Sequence, residues 1–358
     1  MSIEIVKQMP TAEQLRQELP LNERLIAIRQ QRIDELKQIL AGEVSKLVVI
    51  VGPCSADSYD PVMRYAENLA QLNEQLSDRL FIVPRVYTYK PRTNGMGYKG
   101  LATQPSLRGG VDLLSGIRAS RRLHRDVLRK TGLITADEML YPSSMPYLDD
   151  LLGYVAVGAR SVENQEHRLV SSGLDMPIGM KNPTSGDLPT MLNSIHAAQQ
   201  QHDLIYDGEW VKSSGNPYAH AILRGGLRVK KELRDEEDVY LPNYQEPDLL
   251  RAALLYVSRR LQHPSIIIDT NHANSGKDHS KQPDIVDNVL HSMKRNPALH
   301  GIVKGFMIES YLCSGKQDID PSRRLVPGKS VTDGCLGWED TEYLLRRMAD
   351  TYDQISSV

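Results

Sequence analysis

Four residues at or after the ends of β-prone runs, Cys54, His272, Glu309 and Asp333, have side chains of the kinds that can hold transition metals. They offer one sulfur, one imidazole nitrogen and two carboxylates. Such a mixed set suits a borderline divalent ion, Mn²⁺, Fe²⁺, Co²⁺ or Zn²⁺, better than Mg²⁺ or Ca²⁺, which prefer oxygen alone. The four are scattered along the chain, unlike the ligands of a zinc ribbon, and that scatter suits a catalytic centre. Taken singly each has a plainer reading, Cys54 as a small buried hydrophobe and His272 as a hydrogen-bonded loop histidine.

A second group is cationic: Arg85, Lys90, Arg92, Arg160, Lys181 and Arg224. Six cations facing one cavity are untenable without counter-anions, so phosphates and carboxylates are the matching ligands. Arginines grip such groups bidentately, whereas lysines act as point charges. Arg160 and Lys181 sit in the small, apolar contexts YVAVGAR and PIGMK, which argues against ordinary surface charges. Glu138 occupies the corresponding place in TADEM.

What must bring these residues together is an alternation of strands and helices. The β-prone runs are LVVIVG (47–52), FIVPRV (81–86), LITADEM (133–139), YVAVGAR (154–160), PIGMKN (177–182), AHAILRG (219–225), SIIIDTNH (265–272) and GIVKGFMIES (301–310). Longer helical segments separate them. Between the first two, for instance, Val62, Tyr65, Ala66, Leu69 and Leu72 form a stripe of period near 3.6. Eight such units over roughly 300 residues predict a (β/α)8 TIM barrel, in which the C-terminal strand ends converge on one face. The candidate residues stand at or just after those ends. An open doubly wound sheet is the competing arrangement, and no G-x-G-x-x-G follows the first run.

Residues 1–45 read as an N-terminal extension with helical spacing over Glu23–Leu40, and residues 46–350 as the catalytic barrel. Two segments exceed the bare repeat. In DLIYDGEWVKSS (203–214), Asp207-Gly208 between β-prone flanks predicts a small β-hairpin insertion. The stretch 228–247 is too charged for a core and reads as a surface excursion beside the site.

The 43 Lys and Arg against 45 Asp and Glu leave a net charge of −2 over 358 residues. That argues against nucleic acid or a membrane surface as a partner, and any basic site must be concentrated. Three cysteines fit a reducing, cytoplasmic protein. Apolar runs of about five residues fall far short of the ~18 that span a bilayer, and MSIEIVKQMP has no apolar signal core.

The motifs GPCSADSYDP (52–61), RVYTYKPRTNGMGYKGL (85–101), GARSVENQEHR (158–168), GMKNPTSG (179–186), DTNHANSGK (269–277) and KSVTDGCLGWEDT (329–341), with SGNPYAHAILRGG and GFMIESYL between, closely resemble the type I, bacterial and yeast-like 3-deoxy-D-arabino-heptulosonate 7-phosphate (DAHP) synthases. The resemblance runs in order over roughly residues 45–345. It implies a transferase that joins phosphoenolpyruvate, D-erythrose 4-phosphate and water into DAHP and phosphate, the first step of the shikimate pathway to the aromatic amino acids. It places the metal ligands on Cys54, His272, Glu309 and Asp333, the set that donor chemistry picks. Phosphoenolpyruvate falls to Arg85, Lys90, Glu138, Arg160, Lys181 and Arg224, and erythrose 4-phosphate to Arg92 and Thr93, with Lys90 and Asp333 near its aldehyde end. Lys90 is the candidate acid for the new alkoxide; metal-bound water or His272 would serve as well.

The resemblance also implies a homodimer or homotetramer and a feedback pocket for Phe, Tyr or Trp, built by the N-terminal extension and the surface beyond Arg160–Lys181. There SSGLDMP places Asp175, a charge, where a small neutral residue is expected. Further departures are ADSYDP after GPCS, TADEML on the third run, Asn164, and the charged stretch 228–247. None removes a predicted ligand or cation. Cys335 stands two residues from Asp333, so oxidation could join it to Cys54 if their Cα atoms approach within about 5–6 Å; Cys313 reads as structural. The rival activities are the sister condensation that gives 3-deoxy-octulosonate 8-phosphate, a class II aldolase, and a non-catalytic aromatic-amino-acid sensor on the same fold.

Overall fold

The computed structural model describes residues 2–92, 95–232, 235–320 and 322–356. Thr93, predicted at the sugar-phosphate end of the site, lies outside them.

All eight predicted runs are parallel strands: β1 (Leu47–Gly52), β2 (Leu80–Pro84), β3 (Ala136–Glu138), β4 (Tyr154–Val157), β5 (Ile178–Lys181), β6 (Ala219–Leu223), β7 (Ile266–Asp269) and β8 (Val303–Glu309). They pair in the order β2-β1-β8-β7-β6-β5-β4-β3, and a bridge between Arg85 and Ala136 joins the two ends into a barrel. Strands buried on both faces read as unbroken apolar runs, and every residue of β1, β2, β4 and β6 is buried. Several end earlier than their runs suggest. β2 stops one residue before Arg85, β6 one before Arg224, and β7 three before His272. The chain leaves the ladder where it turns polar groups toward the mouth.

The extension shares the barrel's core. Helix α1 (Ala12–Glu18), which the sequence reading does not single out, begins with a capping box between Thr11 and Gln14. Helix α2 (Glu23–Ala41) is capped by Asn22 and stops at Gly42, whose φ of 84° a glycine adopts without strain. Its Leu25, Ile33, Leu36, Ile39 and Leu40 are continuous with the strand residues in one core. Arg29 donates to Leu152 O, just ahead of β4, and Ser265, just ahead of β7, donates to Leu40 O. Helix α2 therefore lies over the N-terminal strand ends, opposite the candidate site. Arg29 also pairs with Asp175 at 3.3 Å, so the unexpected charge has a partner on the extension.

The predicted hairpin forms from Asp203–Tyr206 and Glu209–Lys212, with positive φ at Asp207 (51°) and Gly208 (84°), the two-residue turn its sequence calls for. The charged stretch is an antiparallel ladder of Gly226–Glu232 with Asp235–Leu241. Its register runs without a break from Gly226 opposite Leu241 to Glu232 opposite Asp235. It leaves the barrel directly after Arg224, at the C-terminal end of β6. Among the described residues no helix is long and apolar enough to cross a membrane.

Candidate active site

The C-terminal strand ends surround a cavity of about 400 Å³, within the usual range for small-molecule sites. Cys54 enters from the turn after β1. Gly52 makes that turn possible, because a Cβ there would collide with the Arg85 carbonyl. Arg85, 2% exposed, donates to Glu309 Oε1 at 2.9 Å and to the carbonyls of Pro53 and Cys54, with its guanidinium 3.9 Å from the Tyr87 ring centroid. Burial works against both charges of this pair. The attraction prevails, raising Arg85 well above its ordinary range and holding Glu309 below the usual carboxylate range.

Cys54, Glu309 and Asp333 bring one ligand atom each within 4.8 Å of one another. His272 falls outside this tightest group, with Nε2 3.9 Å from Glu309 Oε1. Its backbone is left-handed (φ 53°), an uncommon conformation for a non-glycine residue. Lys90 Nζ lies 2.8 Å from both Cys54 Sγ and Asp333 Oδ2. Burial opposes ionisation of Asp333, but Lys90 outweighs it and keeps the carboxylate ionised far below the normal range. The Cys54 thiol, by contrast, is pushed up to about 12 by burial and by Glu309. A thiol and two carboxylates gathered this closely are a candidate cation site.

Asp269, at the end of β7, braces two more predicted residues. Its carboxylate is 3.0 Å from Lys181 Nζ and 2.9 Å from His272 Nδ1, and although burial opposes it, these partners hold it well below the ordinary range. An Asp on Nδ1 leaves Nε2 turned toward Glu309, the arrangement common for metal-bound histidines. Around β5, β6 and β7 three amides fix the backbone. Asn182 Oδ1 accepts from Arg224 N, Asn243 Oδ1 from Gly225 N, and Asn274 Nδ2 donates to Leu223 O and Asp269 O. Glu138 lines the cavity beside Gly158, where any Cβ would strike its carboxylate.

All six predicted cations line the cavity, with a seventh, Lys277, which the sequence reading does not select. Lys277 closes DTNHANSGK, carries a positive φ of 63°, and lies 5.7 Å from the Tyr240 ring of the charged hairpin. Its position in a motif rich in site residues was the available signal. Asp269, the first residue of the same motif, was likewise passed over. Arg224 is held below its ordinary range by burial. Asp269, Glu138 and Glu309 pull it the other way without overcoming burial. Cys335 is buried and all three cysteines are unpaired.

The sequence matches the DAHP synthetase I family over residues 25–346. It is 36% identical to the Tyr-sensitive phospho-2-dehydro-3-deoxyheptonate aldolase of Salmonella typhimurium over 344 residues, covering 94% of this chain and 91% of that protein. It is 37% identical to the Phe-sensitive enzyme of that name from Escherichia coli over 322 residues, 88% and 86% of the two chains. The solved structure of phospho-2-dehydro-3-deoxyheptonate aldolase from Francisella tularensis superposes with a TM-score of 0.90 at 30% identity, covering 99% of each chain. With the family's motifs in sequence order and its barrel closed around one cationic cavity, this chain belongs to the DAHP synthetase I family.

Proposed function

We propose that this chain condenses phosphoenolpyruvate with D-erythrose 4-phosphate and water to give DAHP and phosphate. The observation that carries the reading is the pairing of seven cations with a sulfur–carboxylate cluster in one cavity. The two substrates bring roughly five negative charges near neutral pH, and the cations match them. Arg85, Arg160, Lys181 and Arg224 bind the carboxylate and phosphate of phosphoenolpyruvate. Arg92, whose Nε donates to Tyr98 O, takes the sugar phosphate together with Thr93. Holding both anions offsets their repulsion and sets C3 of phosphoenolpyruvate against the aldehyde C1.

Cys54, His272, Glu309 and Asp333 would hold a divalent transition metal, and the donor set fits Mn²⁺, Fe²⁺, Co²⁺ or Zn²⁺. When bound, such an ion supplies Lewis acidity toward a carbonyl oxygen. Lys90 Nζ, beside Asp333 Oδ2 and Cys54 Sγ, delivers the proton to the alkoxide that forms at C1. Water adds at C2 of the former enol ester, and phosphate departs with its bridging oxygen as C–O cleavage leaves the C2 ketone.

The test is phosphate release from the two substrates with and without added Mn²⁺, with D-arabinose 5-phosphate as the competing aldehyde. Release that needs both the four-carbon sugar and a divalent ion supports the reading; no release with any divalent ion overturns it. Relatives named Tyr-, Phe- and Trp-sensitive supply the reason to repeat the assay with each aromatic amino acid at millimolar level. Feedback by one of them, a homodimeric or homotetrameric assembly, and a cytoplasmic location that keeps the Cys54 thiol reduced complete the proposal.

A further inference from the structure

The barrel is closed unevenly. Among the described residues, every other pair of neighbouring barrel strands shares at least three residue pairs in register, whereas β2 and β3 meet at the single bridge Arg85–Ala136. Val86 N donates to Ala136 O at 2.9 Å, and there the backbone ladder stops.

Beyond that point a side chain takes over. Thr88 N donates to Asp137 Oδ1 at 2.9 Å, Thr88 Oγ1 to Asp137 Oδ2 at 2.5 Å, and Glu138 N to Asp137 Oδ1 at 2.7 Å. From helix α3 (Leu113–Thr131) His124 brings Nε2 to 3.1 Å of Asp137 Oδ2, and its Nδ1 lies 2.8 Å from Thr135 Oγ1. Thr88, His124, Thr135 and Asp137 are each no more than 1% exposed. A buried carboxylate is tolerated when its acceptor sites are filled, and this one accepts four hydrogen bonds with fixed directions.

The network borders the site without entering it, since neither Asp137 nor His124 lines the cavity. Thr88 is two residues ahead of Lys90, so the Asp137 carboxylate holds the start of the loop that carries Lys90 and Arg92, and the Thr88 carbonyl in turn accepts from Ala102 N at the loop's far end. Glu138, which does line the cavity, has its backbone N–H on the same oxygen.

We propose that the buried Asp137–His124 pair is the positioning element of this active site: it completes the β2–β3 seam where the backbone ladder is missing, and so sets Lys90 and Glu138 in the cavity. His124 fixes the carboxylate, and Asp137 fixes the loop. The kinetic half of the test rests on the proposed condensation, and the other half does not.

The experiment compares Asp137→Asn, Asp137→Ala and Thr88→Val with the wild type, by steady-state kinetics and by hydrogen exchange of the segment 86–102. Asp137→Asn keeps an acceptor for Thr88 N, and Thr88→Val keeps the side-chain shape and the backbone N–H, so two of the three variants preserve the fold if the third does not. Expected are a kcat lower by about 10- to 100-fold in Asp137→Ala, with the KM for phosphoenolpyruvate within about threefold, and smaller losses in the other two. Exchange in the segment is at least about tenfold faster in Asp137→Ala, and Asp137→Asn restores most of the protection. A kcat within twofold of wild type in the folded variants overturns the inference, as does a fall in kcat with wild-type exchange. If the wild type itself releases no phosphate, the activity reading fails, while the exchange comparison still decides whether Asp137 closes the seam.

Discussion

The ammonium of Lys90 stands 2.8 Å from Cys54 Sγ, so the candidate acid of the reaction touches a candidate metal ligand. With Asp333 Oδ2 also at 2.8 Å, one lysine bridges the softest and the most exposed members of the cluster. Replacing it with Lys90→Met removes the proton donor and a charge that competes with a metal. Turnover should fall by about 10²- to 10⁴-fold. Affinity for Mn²⁺ should stay level or tighten, which a metal titration of the variant will show. Near-normal turnover would remove Lys90 from the mechanism.

Cys54 is the one sulfur in the group and, with its thiol pushed up to about 12, gives up its proton only to a strong Lewis acid. Cys54→Ala should lose both bound metal and activity, and Cys54→Ser should keep a weakened site biased toward harder ions. Metal content after dialysis, measured beside phosphate release, checks both. A Cys54→Ala variant that turns over normally in excess chelator would end the metal assignment.

The Arg85–Glu309 pair is buried at both ends, 2% and 1% exposed. Removing one partner leaves a charge without water or a counter-ion, so Glu309→Gln should destabilise the fold by about 3–5 kcal/mol besides weakening the metal site. The double variant Arg85→Met with Glu309→Leu removes both charges and should be the more stable of the two. Urea midpoints order the variants, and an unchanged midpoint in Glu309→Gln would show that the pair does not hold the barrel mouth.

Much of this was legible because barrels repeat. β1, β4 and β6 announce themselves as short apolar runs, and within three residues of each comes one that lines the cavity: Cys54 after LVVIVG, Arg160 after YVAV, Arg224 after AHAIL. The charged hairpin was harder, since it exists only as the antiparallel register of Gly226–Glu232 with Asp235–Leu241, which no single-strand pattern reveals. Asp269 and Lys277 were missed because their place in DTNHANSGK, the one local signal, does not say what they touch; only the folded chain shows Asp269 against Lys181 and His272. The Asp137 network is hidden for the same reason, with Thr88, His124 and Asp137 contributed by a loop, a helix and a strand.

His220 gives a prediction about pH that is independent of the catalytic groups. It lies in β6, 1% exposed, with Nδ1 2.9 Å from Tyr218 O and Nε2 2.8 Å from Tyr154 Oη. Gly179 on the neighbouring β5 leaves room for that hydroxyl, which a Cβ would displace. Nδ1–H donates to the carbonyl, so Nε2 must be unprotonated to accept from the tyrosine. Burial lowers the imidazole from 6.5 to about 4, only partly offset by the bond to Tyr218. The folded state therefore favours the neutral ring, and the unfolded chain takes up the proton first as pH falls. Stability from this residue is complete above pH 6.5 and declines between 6.5 and about 4, by on the order of 3 kcal/mol across the window. Urea unfolding of the wild type and of His220→Gln at half-unit steps isolates the contribution, because every other titrating group is common to both. The wild type should lose stability more steeply below pH 6.5 than the variant, and parallel curves would show that His220 is protonated in the fold.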